Sequence, residues 1–297
     1  MNIKFKSLLF FCVSFFAVSN IQADTLDSSS PITTVNSVIK SLLNYQPAVL
    51  WEALPKSYQS DINKMFISFS KMSDKDVFVK YSNLNRRLIA AIIQKKAMVV
   101  NTIKKMVPPA KHGQIVPALD AVLLFADVFY KSSFTYYDKI DQADLGAILI
   151  KDGTRMMKAF LAIDKKYETN LKKLGTFTPT VVASKNKAPA ADTNKVIAVA
   201  MIDKDKKQVS PNLGFVQIEG RWIPLKLAKS WKVYMAKLNT TAKLPKEKMK
   251  EMNDKMRKLL PLLEQFVVAV EKVKNEAELA TLPMQAMMLY QQMKSMK

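Results

Sequence analysis

The chain of 297 residues is strongly basic, with 46 Lys and Arg residues against 25 Asp and Glu residues and a formal net charge of +21. It holds one histidine, one cysteine and six glycines, and no glycine falls in a dinucleotide-binding or phosphate-cradling motif. These counts disfavour a zinc site, a serine–histidine–aspartate triad and nucleotide chemistry, so we expect neither a cofactor nor a metal.

The first 23 residues have the pattern of a secretory signal peptide. Lys4 and Lys6 precede an apolar run from Ser7 to Val18, and Ala23 offers a small residue for cleavage. Cleavage after Ala23 would remove Cys12 and leave 44 basic against 25 acidic residues, a net charge near +19. No later segment approaches eighteen uninterrupted apolar residues. The sequence therefore predicts a periplasmic or secreted, cysteine-free protein without a transmembrane anchor after cleavage.

Residues 24–174 are predicted to form a block of several helices. Tyr58, Ile62 and Met65 recur at helical spacing after Pro55, which suits a first turn. A second apolar stripe runs from Val77 to Met106, with Asp74 as the expected N-cap. A short helix is expected over 142–150. These faces are predicted to be core.

The most apolar predicted helix, residues 115–130, is interrupted by two carboxylates, Asp120 and Asp127. Seven residues return to nearly the same face and separate the carboxylates by about 10 Å, too far to share a proton. We expect a narrow polar stripe on an otherwise buried helix, with Asp127 paired to Lys131. The alternative is a pair of acids lining a cleft, as in enzymes that cleave glycosidic bonds.

Residues 175–241 are predicted to form a small antiparallel sheet followed by a helix. Four runs rich in β-branched or aromatic residues make a meander, and Glu219-Gly220 forms the turn of its last hairpin. Pro224 cannot donate to a ladder and so belongs at a sheet edge or strand end. Residues 185–194 are expected to form a mobile loop. Trp231 and Met235 lie four apart on one face of the following helix.

Two short segments carry a resemblance to a known group. Residues 215–224, with the sequence FVQIEGRWIP, are followed by Trp231, and residues 51–61 read WEALPKSYQSD. The first segment is similar to the last hairpin of small exported bacterial domains with a ketosteroid-isomerase-like, cone-type shape. The second resembles uncharacterised exported proteins that bear this hairpin. Together the segments cover under a tenth of the chain, and the resemblance implies no catalytic residue.

Residues 242–297 are predicted to form a helical hairpin rich in Met and Lys. Apolar residues alternate at three and four positions from Met249 to Val273, which is typical of a coiled coil, and a second series follows in another phase. Pro261 and Pro283 are expected to kink or shorten the two arms. A methionine stripe at helical spacing is usually part of a core, but methionine is also favoured at adaptable binding surfaces. On the second interpretation, the candidate partner-binding residues are Met249, Met252, Met256, Met287 and Met293.

The sequence thus predicts an α+β, predominantly helical fold: a multi-helix block, a four-stranded antiparallel meander and a C-terminal helical hairpin. Three functions remain open. The first is a non-catalytic protein-binding or holding protein of the cell envelope. The second is a binder of polyanions or anionic membrane surfaces, for which nucleic acid is a poor candidate after export. The third is a hydrolase that uses Asp120, Asp127 or Glu52. Neither the partner nor the oligomeric state follows from the sequence.

Overall fold

A computed structural model describes residues 26–163, 165–182, 196–242 and 245–295. It confirms the predicted fold class, because helices dominate and a single four-stranded antiparallel sheet lies between two helical stretches in the described chain. The signal peptide 1–23, its cleavage point after Ala23 and the loop 185–194 lie outside the described residues.

Most of the described chain lies in helices of ten residues or more. In chain order the elements are α1 (Pro31–Leu43), α2 (Ala48–Glu52), α3 (Lys56–Ser70), α4 (Lys75–Gln94), α5 (Lys96–Met106), α6 (His112–Lys131), α7 (Leu145–Ile163), α8 (Lys165–Leu174), β1 (Thr178–Val182), β2 (Ile197–Ile202), β3 (Leu213–Ile218), β4 (Arg221–Pro224), α9 (Leu225–Ala242), α10 (Lys246–Lys272) and α11 (Glu276–Ser295). Short 3-10 turns lie before α6 and between α6 and α7.

The chain divides into two compact units, and each is made of two separate stretches. Among the described residues, the first unit combines those up to Asn63 with those from Leu145 to Asn239, and the second combines those from Lys64 to Asp144 with those from Thr240 onwards. The predicted segments 24–174, 175–241 and 242–297 follow changes in secondary structure along the chain. The two compact units do not coincide with these segments, because each unit is built from two separate stretches. The reason is physical: a sequence pattern marks which face of a helix is apolar but not which partner covers it.

The sheet of the first unit is the predicted meander, with strands in the order β1-β2-β3-β4 and all pairs antiparallel. Ile218 pairs with Arg221 across the Glu219-Gly220 turn, and both turn residues have positive φ, 50° and 75°. Two successive residues of positive φ match the twist of a two-residue hairpin. Pro224 is the last residue of the edge strand β4, as its missing N–H requires.

The first unit buries the apolar faces predicted for its helices. Tyr58 and Ile62 on α3 are buried, and so are Trp231 and Met235 on α9. A further cluster joins α7 and α8 through Met157, Leu161 and Leu171. The predicted short helix 142–150 is wrong in extent, because α7 begins at Leu145 and continues through Gly153 to Ile163. Gly153 is buried inside this helix and does not interrupt it.

The second unit is organised around α4 and α10, which run parallel to each other. Val77 and Leu84 of α4 pack with Leu260 and Val267 of α10, and Met256 lies against this cluster. We call this contact between α4 and α10 the seam. Two ion pairs one heptad apart border it: Lys80 with Glu264, and Arg87 with Glu271. Residue numbers rise together along both helices, so the predicted heptad stripe of α10 serves a parallel pair with α4.

In the second unit, the predictions of one unbroken helical stripe, of Met106 in the core and of shortened C-terminal arms are wrong. The apolar stripe from Val77 to Met106 is divided at Lys95, whose φ of −100° and ψ of 15° separate α4 from α5. Met106 at its end is 65% exposed. Pro261 and Pro283 do not shorten the C-terminal arms, because α10 runs for 27 residues and α11 for 20 with these prolines inside.

Candidate functional site

A cleft lies between α4 and α6 in the second unit. Its volume is about 450 Å³, within the range of sites that hold small molecules or side chains. The residues that line it are mainly apolar or aromatic, with a few polar groups at the edge: Arg86, Ile89, Ala90, Ile93, Gln94, Asp127, Tyr130, Lys131 and Tyr136.

The floor of the cleft is apolar. Ile89 is buried, Tyr130 is half-buried, and Ile93 at the rim is 42% exposed. Burial raises the pKa of the Tyr130 hydroxyl well above its ordinary value, and the neighbouring Tyr81 adds to the rise. A tyrosine phenol is neutral at physiological pH even at its ordinary pKa, so Tyr130 adds no charge to the floor.

Arg86 and Tyr136 build one wall of the cleft. The guanidinium carbon lies 4.3 Å from the centroid of the Tyr136 ring, a cation–π arrangement. The same guanidinium donates to the carbonyl oxygen of Tyr130 at 3.0 Å and to the hydroxyl of Thr135 at 3.1 Å. Its Nη2 donates to Asn83 at 2.7 Å. Arg86 thus fixes the turn after α6, and both of its terminal nitrogens donate within the protein.

The two candidate cleft acids occupy different surroundings. Asp127 lies at the edge of the cleft and forms the predicted ion pair with Lys131, at 2.7 Å between Oδ1 and Nζ. Asp120 is not part of the cleft lining, and its carboxylate pairs with Lys96 at the start of α5. Glu52 belongs to the first unit. The structure therefore does not bring these carboxylates together in this cleft.

Helix α6 is less buried than the sequence predicts. Only Ala121, Leu123 and Val128 are buried, while Val122 is 61% exposed and Phe129 is 39% exposed. The expectation of an otherwise buried helix with a narrow polar stripe is therefore wrong. The helix packs against α4 and α5, and these neighbours cover its flanks and leave one apolar side uncovered.

This helix also satisfies a length and composition criterion for a membrane span. The stretch Pro109–Lys131 contains an eighteen-residue window of mean hydropathy 1.4, of which 17% is buried. Asp120 and Asp127 interrupt the apolar run in this stretch, so a search for uninterrupted apolar residues does not find it. The mean hydropathy of the window remains high because the other residues are mostly apolar. Buried core helices and signal sequences also satisfy this criterion, so by itself it is weak evidence.

The five candidate methionines lie in different environments. Met256 packs into the seam between α4 and α10, and Met249 and Met252 are half-buried on the same helix. Met287 on α11 is 61% exposed, next to the equally exposed Met284. The side chain of Met293 lies outside the described residues. Of this set, Met287 is the residue with an open side chain in the described part of the chain.

The cleft can bind, but its lining does not supply an evident reaction centre. Asp127 is the single carboxylate among the described residues that line it, and it is already paired with Lys131. In the described residues, no group of three or more His, Cys, Asp or Glu side chains could hold a metal ion. An apolar, aromatic floor with a charged edge suits an apolar side chain of a partner.

No protein-family model, no curated protein and no solved structure matches this chain.

Sequence reasoning missed the cleft, although it identified the helix that forms one side. Ile93 and Tyr136 stand out only after α4 and α6 are placed side by side. A weak signal was present: Ile89 and Ile93 lie four residues apart and continue the apolar pattern of α4 towards its C-terminal end. No spacing rule indicates that Tyr136, beyond the end of α6, would cover Arg86.

Proposed function

We propose that the protein is a non-catalytic binding protein of the cell envelope that holds other proteins through apolar surface. The observation that carries the proposal is the cleft between α4 and α6, with Ile93 open at its rim above an uncharged floor. Partly exposed apolar and aromatic side chains around a concavity are typical of the centres of protein interfaces. A location outside the cytoplasm rests on the signal-peptide pattern of residues 1–23.

The positive charge of the chain sets the expected chemistry of the partner. A net charge of +21 attracts acidic proteins and raises the rate of encounter with them. Lys131 at the edge of the cleft is largely exposed although it is paired with Asp127. We therefore expect partners that combine an apolar side chain with acidic neighbours.

The absence of catalysis is part of the proposal and is supported by the state of the candidate acids. Asp127 and Asp120 are each engaged by a lysine, and they lie in different surroundings. A hydrolase of the carboxylate type needs two acids facing one reacting bond. The C-terminal methionines support the proposal less strongly. Met256 packs against the seam between α4 and α10, so part of its side chain is not open to a partner.

A second candidate function, binding to an anionic surface, is favoured by the distribution of charge. The 43 residues from 77 to 119 contain eight basic side chains and no acidic one. The stretch runs from α4 through α5 into α6. Four of its basic side chains pair with carboxylates outside it: Lys80 with Glu264, Arg87 with Glu271, Lys96 with Asp120, and Lys105 with Glu276. Lys104 and Lys111, on either side of the turn before α6, form no such pair in the described residues and are the cations that an anionic surface could meet.

The cleft is tested by measuring the affinity for an unfolded, carboxymethylated test protein. Ile93→Glu places a charge at the rim, and Ile150→Glu places the same charge at a 53% exposed isoleucine of the first unit. We expect Ile93→Glu to weaken binding by about tenfold or more, and Ile150→Glu to bind as the unmodified protein does. Fluorescence anisotropy gives both affinities. Equal affinity of the two variants would remove the cleft from the proposal.

A further inference from the structure

One side of α6 presents apolar residues to solvent along its whole length. Ile115, Leu119, Val122, Phe125, Ala126 and Phe129 recur at intervals of one, three and four residues, which places them on one face. Val122 and Phe129 are exposed and the other four are half-buried. We call these six residues the apolar stripe.

The charges of this helix are turned away from the stripe. At about 100° per residue, Asp120 and Asp127 lie roughly 140° to 160° around the helix from Val122. Lys96 of α5 pairs with Asp120, and Lys131 pairs with Asp127. A helix on the surface of a water-soluble protein normally shows the reverse arrangement, with charges outward and apolar residues inward. Val122 and Phe129 thus expose apolar surface on the side of the helix opposite its charges.

The geometry of the second unit restricts how α6 could meet a membrane. The helix is covered on both flanks by α4 and α5, so lipid cannot surround it. An arrangement parallel to the membrane plane requires only the uncovered face to be apolar. Helices of this interfacial type bury one face at the boundary between headgroups and acyl chains.

The chain before α6 adds a cationic and apolar corner. Lys104 lies in the last turn of α5 and Lys111 directly before α6, and Met106 between them is 65% exposed. Lys105 is paired with Glu276 of α11. Pro108 and Pro109 are also exposed. These residues belong to the stretch 77–119 that carries no acidic side chain. Basic side chains next to an exposed apolar surface are typical of proteins that bind anionic lipid headgroups.

We propose that the apolar stripe lies in the interfacial layer of an anionic lipid bilayer, with Lys104 and Lys111 against the lipid phosphates. A second copy of the chain is a poorer occupant, because two molecules that each carry a net charge near +19 without residues 1–23 repel each other. The inference rests on the second candidate function, binding to an anionic surface, and names the lipid class and the helix face that binds it. It uses no residue of the cleft, so protein binding at the cleft can fail while this inference stands.

The proposal is tested with vesicles of phosphatidylcholine alone and vesicles that also contain phosphatidylglycerol. The protein is prepared from Asp24 onwards, so that the apolar run of residues 7–18 cannot itself bind lipid, and both compact units keep all their described residues. We expect flotation with the anionic vesicles and little with the neutral ones. The double variant Val122→Glu with Phe129→Glu should lower the affinity at least about tenfold, because charge replaces the inserted side chains.

A matched control places two glutamates at equally exposed apolar positions elsewhere. Val233→Glu with Tyr234→Glu changes α9 of the first unit, where the residues are 67% and 52% exposed. It should bind anionic vesicles as the unmodified protein does. Lys111→Gln should weaken binding about fivefold and leave the stripe intact.

A tryptophan at the centre of the stripe gives a readout that does not depend on charge. In Val122→Trp, emission should shift to shorter wavelength on addition of anionic vesicles and not on addition of an unfolded test protein. Circular dichroism confirms that each variant is folded. The proposal is overturned if the unmodified protein, prepared from Asp24 onwards, does not bind anionic vesicles. It is also overturned if the double variant of the stripe and the double variant of α9 bind these vesicles equally. It is equally overturned if the emission of the Val122→Trp variant responds to the unfolded protein alone.

Discussion

Tyr58 of α3 and Trp231 of α9 stack face to face, with ring centroids 3.9 Å apart and planes that differ by 1°. The indole Nε1 of Trp231 also donates to the Asp61 carboxylate at 2.9 Å. Glu219 in the hairpin accepts the backbone N–H of Ser57 at 3.1 Å. The two segments that carry the sequence resemblance are therefore neighbours in the first unit, where they join α3 to the last hairpin and α9.

The contact between Trp231 and Asp61 should contribute measurably to the stability of the first unit. Trp231→Phe retains a ring that can stack on Tyr58 but removes the donor to Asp61, and we expect a loss of about 1.5–3 kcal/mol. Trp231→Ala removes the stack as well and should cost about 3–5 kcal/mol. Urea unfolding followed by far-ultraviolet circular dichroism measures both.

A double-mutant cycle separates the hydrogen bond from the packing. With Trp231→Phe and Asp61→Ala, we expect a coupling free energy of about 0.5–3 kcal/mol, because each single variant removes the same hydrogen bond. If the two changes in the free energy of unfolding simply add, the hydrogen bond between Trp231 and Asp61 contributes no stability.

A close approach between α7 and α2 makes a glycine necessary at position 146. A Cβ atom on Gly146 would lie 2.2 Å from Nε1 of the buried Trp51. We therefore expect Gly146→Ala to destabilise the protein by about 1–3 kcal/mol, since the indole must move within a packed interior. Thermal or urea unfolding provides the measurement.

Gly113, in the first turn of α6, is the matched control for Gly146. A Cβ atom there would have no neighbour within 4 Å. Gly113→Ala should be neutral or should stabilise by up to about 1 kcal/mol, because alanine favours the helix and restricts the unfolded chain. Equal effects of the two substitutions would contradict the steric argument.

The sequence predicts well those elements in which the local pattern and the fold agree. The spacing of Tyr58, Ile62 and Met65 correctly places the buried face of α3, and Glu219-Gly220 correctly places the hairpin turn. In both cases the deciding interactions are local: side chains one turn apart, or backbone angles that few residues tolerate.

The candidate surfaces could not be derived in the same way, because they depend on which helices become neighbours. The apolar pattern of α6 predicts a buried helix, yet Val122 faces solvent because α4 and α5 cover other sides. The stripe of α10 predicts a coiled coil but not its partner, which is α4 in parallel orientation. Periodicity determines the face of a helix, and tertiary packing determines whether that face is covered.

Stability should fall in acid as the carboxylates of the α4 and α10 seam are protonated. Hydrogen bonding from Arg257 lowers the pKa of Asp76, and hydrogen bonding from Arg87 lowers the pKa of Glu271. Because these groups bind protons less readily when folded, their stabilisation is present above the unfolded pKa values of 3.8 and 4.5. It is lost as the pH falls through the lower folded values. Urea unfolding as a function of pH measures the effect.

Arg257→Gln tests which cation is responsible for this acid dependence. Arg257 donates to Asp74 at 2.6 Å and to Asp76 at 3.2 Å. Its replacement should flatten the fall in stability below pH 3.8, the ordinary aspartate pKa. Lys258→Gln removes the same charge from an exposed neighbouring position and should leave the slope unchanged. High salt should weaken the difference, since the pairs are exposed. An unchanged slope in Arg257→Gln would assign the acid dependence to other groups.

Asn253 of α10 contacts the N-terminus of α4 at the backbone of its N-cap residue, Asp74. Asp74 occupies the predicted N-cap position, but its side chain does not make the capping hydrogen bond and instead pairs with Arg257. The backbone N–H of Asp74 donates to Oδ1 of Asn253 at 3.2 Å, and Asn253 is 3% exposed. A buried polar side chain on one helix thus satisfies a backbone donor at the start of its parallel neighbour.

Replacement of Asn253 should therefore destabilise the second unit at a defined place. Asn253→Leu leaves the Asp74 N–H without this acceptor, and we expect a loss of about 1–3 kcal/mol in the free energy of unfolding. Hydrogen exchange of the Asp74 amide should become faster. Gln265→Leu makes a comparable change at an exposed position of α10 and should alter stability by less than about 0.5 kcal/mol. If Asn253→Leu were as stable as the unmodified protein, with exchange unchanged at Asp74, the contact would have no role in joining α4 to α10.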